Sequence, residues 1–170
     1  MPIDACASNF ADLATKVLPK YMEALRAAMQ DLRPLSEFCA PGVGVKTIVK
    51  QLRKEADFSG CYVLLQDATP FYIGISRGVI ARLRQHGTGR THFDASLAYS
   101  MARHKVPHKL TRSAAMKNPT FRQAFEEAQR LLISCRVAFI EIQNSLELYL
   151  FEAYCAMEFD TCKWNTFRTH

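Results

Sequence analysis

No apolar stretch of the chain approaches the ~20 residues that a bilayer-spanning helix requires, which excludes a helical membrane span of the usual kind. The segment from Met1 to Phe10 lacks both a basic start and an apolar centre, so no secretory signal is read there and the expectation is a cytoplasmic protein. The six cysteines, Cys6, Cys39, Cys61, Cys135, Cys155 and Cys162, include no C-x-x-C pair, which removes the common zinc and redox motifs and leaves reduced thiols as the expectation. Cys155 and Cys162 with His170 fit no standard zinc spacing. There is no low-complexity tract and no internal repeat, so neither a solenoid nor a disordered chain is expected. No zinc finger or helix-turn-helix is visible, and any choice of binding site would have to come from residues 1–57 or from a loop over 104–120.

What is there is charge, unevenly spread. The net charge of +6 hides a middle block, residues 77–136, with twelve Lys and Arg against three Asp and Glu. The 76 residues before it balance at eight of each sign, and residues 137–170 carry two basic against five acidic side chains. A basic block of this kind, with His86, His92, His104 and His108 inside it, fits a surface facing a polyanion, because binding releases the counterions condensed on nucleic acid. A solvated helical face would look the same at this level.

At 170 residues the chain has room for one domain with a proper core and a short extension. Apolar positions at three- and four-residue steps from Phe10 to Leu32 predict helix, interrupted at Pro19 and ended by Pro34. After a turn over 40–44, Val45, Ile48, Val49 and Leu52 predict a short amphipathic helix up to Asp57. We read residues 1–57 as a helical extension and 58–170 as the functional domain. There the pattern changes to β-branched and aromatic runs, giving a hairpin of 60–66 against 71–75 with a turn at Asp67 to Pro70. Helices follow at about 77–86, 94–104, 120–134 and 146–159, with a basic loop at 107–119 and a third strand at 137–142. The expected fold class is α+β: a small, three-stranded, mostly antiparallel sheet flanked by helices.

Within this frame Gly60-Cys61-Tyr62 is followed, ten residues after its tyrosine, by Tyr72-Ile73-Gly74; Arg82 lies eight residues past Gly74 and His86 four past Arg82. A late helix carries Glu147 and Glu152, and Asn165 comes after it. This order and spacing resemble the catalytic module of the GIY-YIG nuclease family over about residues 58–166, with Cys61 at the usual aliphatic position. Ile75 stands where the repair-enzyme branch of that family carries lysine, so the chain does not look like a member of that branch.

The resemblance implies a metal-dependent endonuclease with Tyr62, Tyr72, Arg82, His86 and Glu152 as catalytic residues. Glu152 would hold one Mg²⁺ or Mn²⁺, a hard cation that keeps most of its waters and takes one or two protein oxygens. Arg82 would set a planar guanidinium against the scissile phosphate. Tyr62 would position or deprotonate the attacking water, with Tyr72 beside it if the hairpin register puts both on one face. His86 shares a helix face with Arg82, and an unperturbed imidazole suits proton transfer near neutrality. Asn165 would tie the C-terminal tail to the site. Arg84, Arg90, Lys105 and Lys109 are the candidate phosphate contacts on a basic surface beside it.

DNA is the expected partner, and a homodimer would suit a double-strand cut by so small a module. Two alternatives stay open: a weakly active or inactive nucleic-acid-binding module, and a nuclease for RNA or single strands. Each site residue also has a plain structural reading. Hairpin tyrosines usually pack with a wet hydroxyl, a histidine ending a helix is favoured by the dipole, and a glutamate among Leu148, Tyr149, Phe151 and Tyr154 can simply emerge from an apolar helix.

Overall fold

A computed structural model describes residues 2–167 and shows a mixed helix and strand protein. In chain order the elements are α1 (Phe10–Asp12), a π-helical turn (Leu13–Val17), α2 (Leu18–Ala28), β1 (Arg33–Pro34), α3 (Leu35–Cys39) and α4 (Val45–Gln51). They are followed by β2 (Gly60–Gln66), β3 (Thr69–Ser76), α5 (Val79–Thr88), α6 (Ser96–Lys105), α7 (Arg112–Lys117), α8 (Pro119–Ser134), β4 (Arg136–Glu141) and α9 (Ser145–Glu158). Pro19 does not break the first helix. The π turn just ahead of it relaxes the ladder where proline would lose a hydrogen bond and crowd the preceding carbonyl.

The sheet has four strands in the order β1-β4-β2-β3, one more than expected, because the two-residue β1 is too short to leave an alternating pattern in the sequence. The region 107–119, expected to be a loop, contains α7, capped by Thr111, whose hydroxyl accepts from the Ala114 amide. Asn118 before Pro119 caps α8 and Asn144 caps α9 in the same way.

The chain divides into two compact units. One comprises the described residues up to Arg33, Ala56–Val79 and the described residues from Arg136 on; the other comprises Pro34–Glu55 and Ile80–Cys135. The boundary expected at residue 57 does not coincide with this division. Leu18, Met22 and Leu25 of α2 are core residues of the sheet unit, so the first helical stretch is part of its packing.

In the sheet unit β2 pairs antiparallel with β3 on one side and β4 on the other. Cys61, Val63, Leu65, Ile73 and Ala138 make one face, and onto it pack α2 and the Leu148, Phe151, Cys155 and Ala156 stripe of α9. Tyr62, Leu64, Tyr72 and Val137 point to the other face, as the register Tyr62 to Gly74 and Leu64 to Tyr72 requires. The hairpin turns on Asp67 and Ala68, both with positive φ (48° and 67°), and a bulge at Leu64/Leu65 absorbs one extra residue of β3 next to Pro70. In the helical unit α8 is the central element, with α3, α6 and α7 packed around its Phe121, Phe125 and Leu132.

Two glycines of the hairpin are there for space. A Cβ on Gly60 would meet the Ile140 carbonyl oxygen at 2.1 Å, and one on Gly74 would meet the Tyr62 ring and hydroxyl at 2.3 Å. Gly74→Ala should therefore cost about 1–3 kcal/mol in urea unfolding, the range for overpacking a well-packed site. An unchanged midpoint would show that the ring swings aside.

Candidate active site

β2 and β3 bring Tyr62 and Tyr72 together. Their ring centroids are 6.3 Å apart at an interplanar angle of 51°, on one sheet face. Tyr62 is fully buried with its ring laid across Gly74 of the edge strand, and Tyr72 is half-buried. Asn165 closes that edge between the two: its side-chain oxygen accepts from the Ile73 amide at 2.9 Å and its nitrogen donates to the Ile73 carbonyl at 2.7 Å. A side-chain amide thus supplies the ladder partner that an edge residue otherwise takes from water or another chain.

Glu152 belongs to the same unit but comes from α9, on the opposite face of the sheet, where α9 runs mainly along β3. Its carboxylate is half-buried and has no hydrogen bond or ion pair among the described residues. Burial alone holds its pKa above the ordinary carboxylate value. Burial also pushes the Cys61 thiol well up, with Cys155 and the Glu152 charge adding to the effect. One helical turn before Glu152, Leu148 lines a cavity of about 110 Å³ together with Ile75, Ser76 and Arg77. Arg77 was not among the residues singled out from the sequence. Its only signal there was its position three residues after Gly74.

The second carboxylate of α9, Glu147, is engaged. It accepts from the Tyr21 hydroxyl at 2.5 Å and from the Cys6 thiol at 3.8 Å, and burial, with Glu147 beside it, raises the Tyr21 pKa. Nothing in the sequence pairs residues 126 apart, so this network was not anticipated. Among the described residues no group of three or more His, Cys, Asp or Glu is placed to hold a metal ion; His170 lies outside them. No described helix is long and apolar enough to cross a membrane.

Arg82 and His86 belong to the helical unit. The Arg82 guanidinium donates to the Asp94 carbonyl and the Ser96 hydroxyl, both at 2.7 Å, and to Gln85 Oε1 at 3.2 Å. All three acceptors are neutral, and the group is held in place with no ion pair among the described residues. His86 is fully buried, and desolvation, with the Arg82 charge adding to it, lowers its pKa to about 3. This corrects the expectation of an imidazole titrating near neutrality: His86 is neutral at physiological pH.

The four candidate phosphate contacts, all in the helical unit, divide. Arg90 and Lys109 are exposed and without ion pairs among the described residues. Lys105 is ion-paired with Glu127, and Arg84 is half-buried, donating to the Phe38 carbonyl at 2.6 Å as a tether between α5 and α3.

No family model matches the chain, and no curated protein or solved structure is similar to it.

The depressed His86 pKa has a pH signature. Folding excludes a proton that the unfolded imidazole binds below about pH 6.5, so the stability it contributes is complete above that value and is lost as pH falls toward 3. Stability should decline over this window with a slope approaching ~1.4 kcal/mol per pH unit from this group. His86→Leu should flatten that decline in urea melts taken from pH 7 to 4; an identical decline in the variant would place the acid sensitivity elsewhere.

Proposed function

We propose that the protein is a metal-dependent phosphodiester hydrolase acting within nucleic acid, DNA in the first place, on the plan of the GIY-YIG nucleases. The observation that carries this reading is Glu152. A half-buried carboxylate with no partner among the described residues is costly unless something else compensates it, and a divalent cation would do so. A single carboxylate oxygen with water completing the shell is a donor set that Mg²⁺ or Mn²⁺ accepts and that zinc or copper does not favour. When bound, such an ion supplies a Lewis acid for the phosphate and lowers the pKa of a coordinated water.

On that plan the remaining roles would fall to Tyr72, Tyr62, Asn165, Arg82 and His86, although Glu152 comes from the sheet face opposite the tyrosines. Tyr72, the more open of the paired tyrosines, positions the attacking water or its proton, with the Tyr62 hydroxyl behind it over Gly74. Asn165 fixes the backbone between Tyr72 and Gly74. Arg82 offers a preorganised guanidinium for phosphate charge, and His86 serves as a neutral hydrogen-bonding group and not as an acid.

The burial of Tyr62 and His86 favours a second reading, binding without cleavage. Cleavage assays on supercoiled and linear DNA, single strands and RNA, with Mg²⁺, Mn²⁺ or chelator, decide between the two. Glu152→Gln should abolish cleavage, and Arg82→Ala should reduce it ~100-fold or more, with Arg82→Lys recovering little. Stability gives a readout independent of activity. A carboxylate with a raised pKa contributes stability below its unfolded pKa and loses it as pH rises, so at pH 7 the ionised Glu152 is a burden and Glu152→Gln should raise the melting temperature. Mn²⁺ should stabilise the wild type and not the variant. Cleavage that ignores chelator, or a Glu152→Gln protein cutting at the wild-type rate, would return Glu152 to a structural carboxylate.

A further inference from the structure

The helical unit carries fourteen Lys and Arg against five Asp and Glu, whereas the remainder of the chain carries eight against eleven. Two of its basic residues are paired with acids on exposed helix faces, Lys105 with Glu127 and Arg122 with Glu126. Arg90, Arg103, Lys109, Arg112 and Lys117 are exposed and make no ion pair among the described residues. The surplus is thus chemically available and concentrated in one unit.

Within this unit the turn leading into α6 is braced. The Thr91 hydroxyl donates to Asp94 Oδ2 at 2.7 Å and accepts from the Asp94 amide at 3.2 Å, and the Ala95 amide donates to the Thr91 carbonyl at 3.0 Å. Phe93 stands on this turn with 75 % of its surface exposed. Its ring centroid is 4.0 Å from that of His92, tilted by 39°. His92 is backed by the buried Tyr99 at 5.8 Å, and Tyr99 by Phe121 at 5.1 Å. The Arg112 guanidinium lies over the Tyr99 ring at 5.6 Å from its centroid. An exposed aromatic ring is thus mounted on a fixed turn and stacked on a second ring that leans on the core, with the exposed Arg90 three residues ahead of it and the Arg112 guanidinium over the Tyr99 ring behind.

Solvated surface requires no such support for a phenylalanine, whereas an unpaired base requires this combination: an aromatic or guanidinium plane for its π-face and cations for its phosphate. Bases inside a duplex have both faces occupied by their neighbours and cannot use it. We propose that Phe93 and His92, with Arg90 and Arg112, form a stacking platform for an unpaired nucleotide, so that the substrate of the proposed hydrolase presents single-stranded nucleic acid at this surface. This inference rests on the nucleic-acid reading above and names the strand state of the substrate.

The test is binding of the full chain in chelator, so that no cleavage intervenes, followed by fluorescence anisotropy. The probes are fluorescein-labelled oligothymidylate, oligouridylate of equal length, an abasic deoxyribose-phosphate strand and a blunt duplex. Phe93→Ala should weaken binding to both base-bearing single strands roughly 10-fold or more, and leave the abasic strand, the duplex and the melting temperature unchanged. Phe93→Trp should retain full affinity. Arg90→Ala should weaken every probe and reduce the salt slope by about one. Equal affinity of wild type and Phe93→Ala for the single strands, an equal loss on the duplex, or abasic binding as tight as oligothymidylate overturns the platform. The two readings fail separately: Glu152-dependent cleavage with no Phe93 effect removes the platform alone, and a Phe93 effect with no cleavage of any substrate removes the hydrolase alone.

Discussion

The contact on which the sheet unit depends is that of the Tyr62 ring with the bare backbone of Gly74. It requires a residue without Cβ on the edge strand, opposite a large ring on the central strand, and so permits one register of the hairpin. A slip of β2 by one residue would turn Tyr62 away from the face that Tyr72 occupies and bring the Cys61, Val63 and Leu65 row out of the core. The same contact explains why the two glycine-tyrosine tripeptides belong together as a packing unit before any chemistry is assigned to them. Gly60 admits the β4 backbone and Gly74 admits the ring.

Within each unit the polar groups divide into those with a partner and those with none among the described residues. Glu147 is satisfied, by the Tyr21 hydroxyl of α2 and the Cys6 thiol ahead of α1. Arg84 and Lys105 are satisfied, by a helix-end carbonyl and a carboxylate. Glu152 has no such partner, and the Arg82 guanidinium has neutral acceptors but no ion pair among the described residues. The fold thus settles two neighbouring carboxylates of one helix differently, which their spacing in the sequence does not reveal.

The hairpin, the later helices and the strand after them were legible because their periods of two and about 3.6 are written in runs long enough to read. The two-residue β1 and the six-residue α7 were not, since neither is long enough to repeat its period. The shared face of Tyr62 and Tyr72 hung on the hairpin register, which the bulge at Leu64/Leu65 sets and no run in the sequence announces. The approach of Glu152 from the other face was not legible either, because the side on which a helix packs is decided by the whole set of apolar stripes, here those of α2 and α9 together. For His86 the spacing from Arg82 was legible and the environment was not: desolvation depends on neighbours distant in sequence. Phe93 was passed over because a single aromatic in a polar turn carries no pattern, and its meaning appears only with His92 and Tyr99 beneath it.

Asn165, which pairs with both backbone groups of Ile73, directly follows the single tryptophan of the chain, Trp164. The indole is half-buried, with the Lys163 ammonium 5.1 Å from its ring centroid. Intrinsic fluorescence excited at the indole band therefore comes from one place, the latch on the edge strand between the candidate tyrosine and the glycine that receives its partner's ring. Emission wavelength and quenching by a neutral solute would follow the opening and closing of that latch without any label, separately from the melting of the rest of the chain.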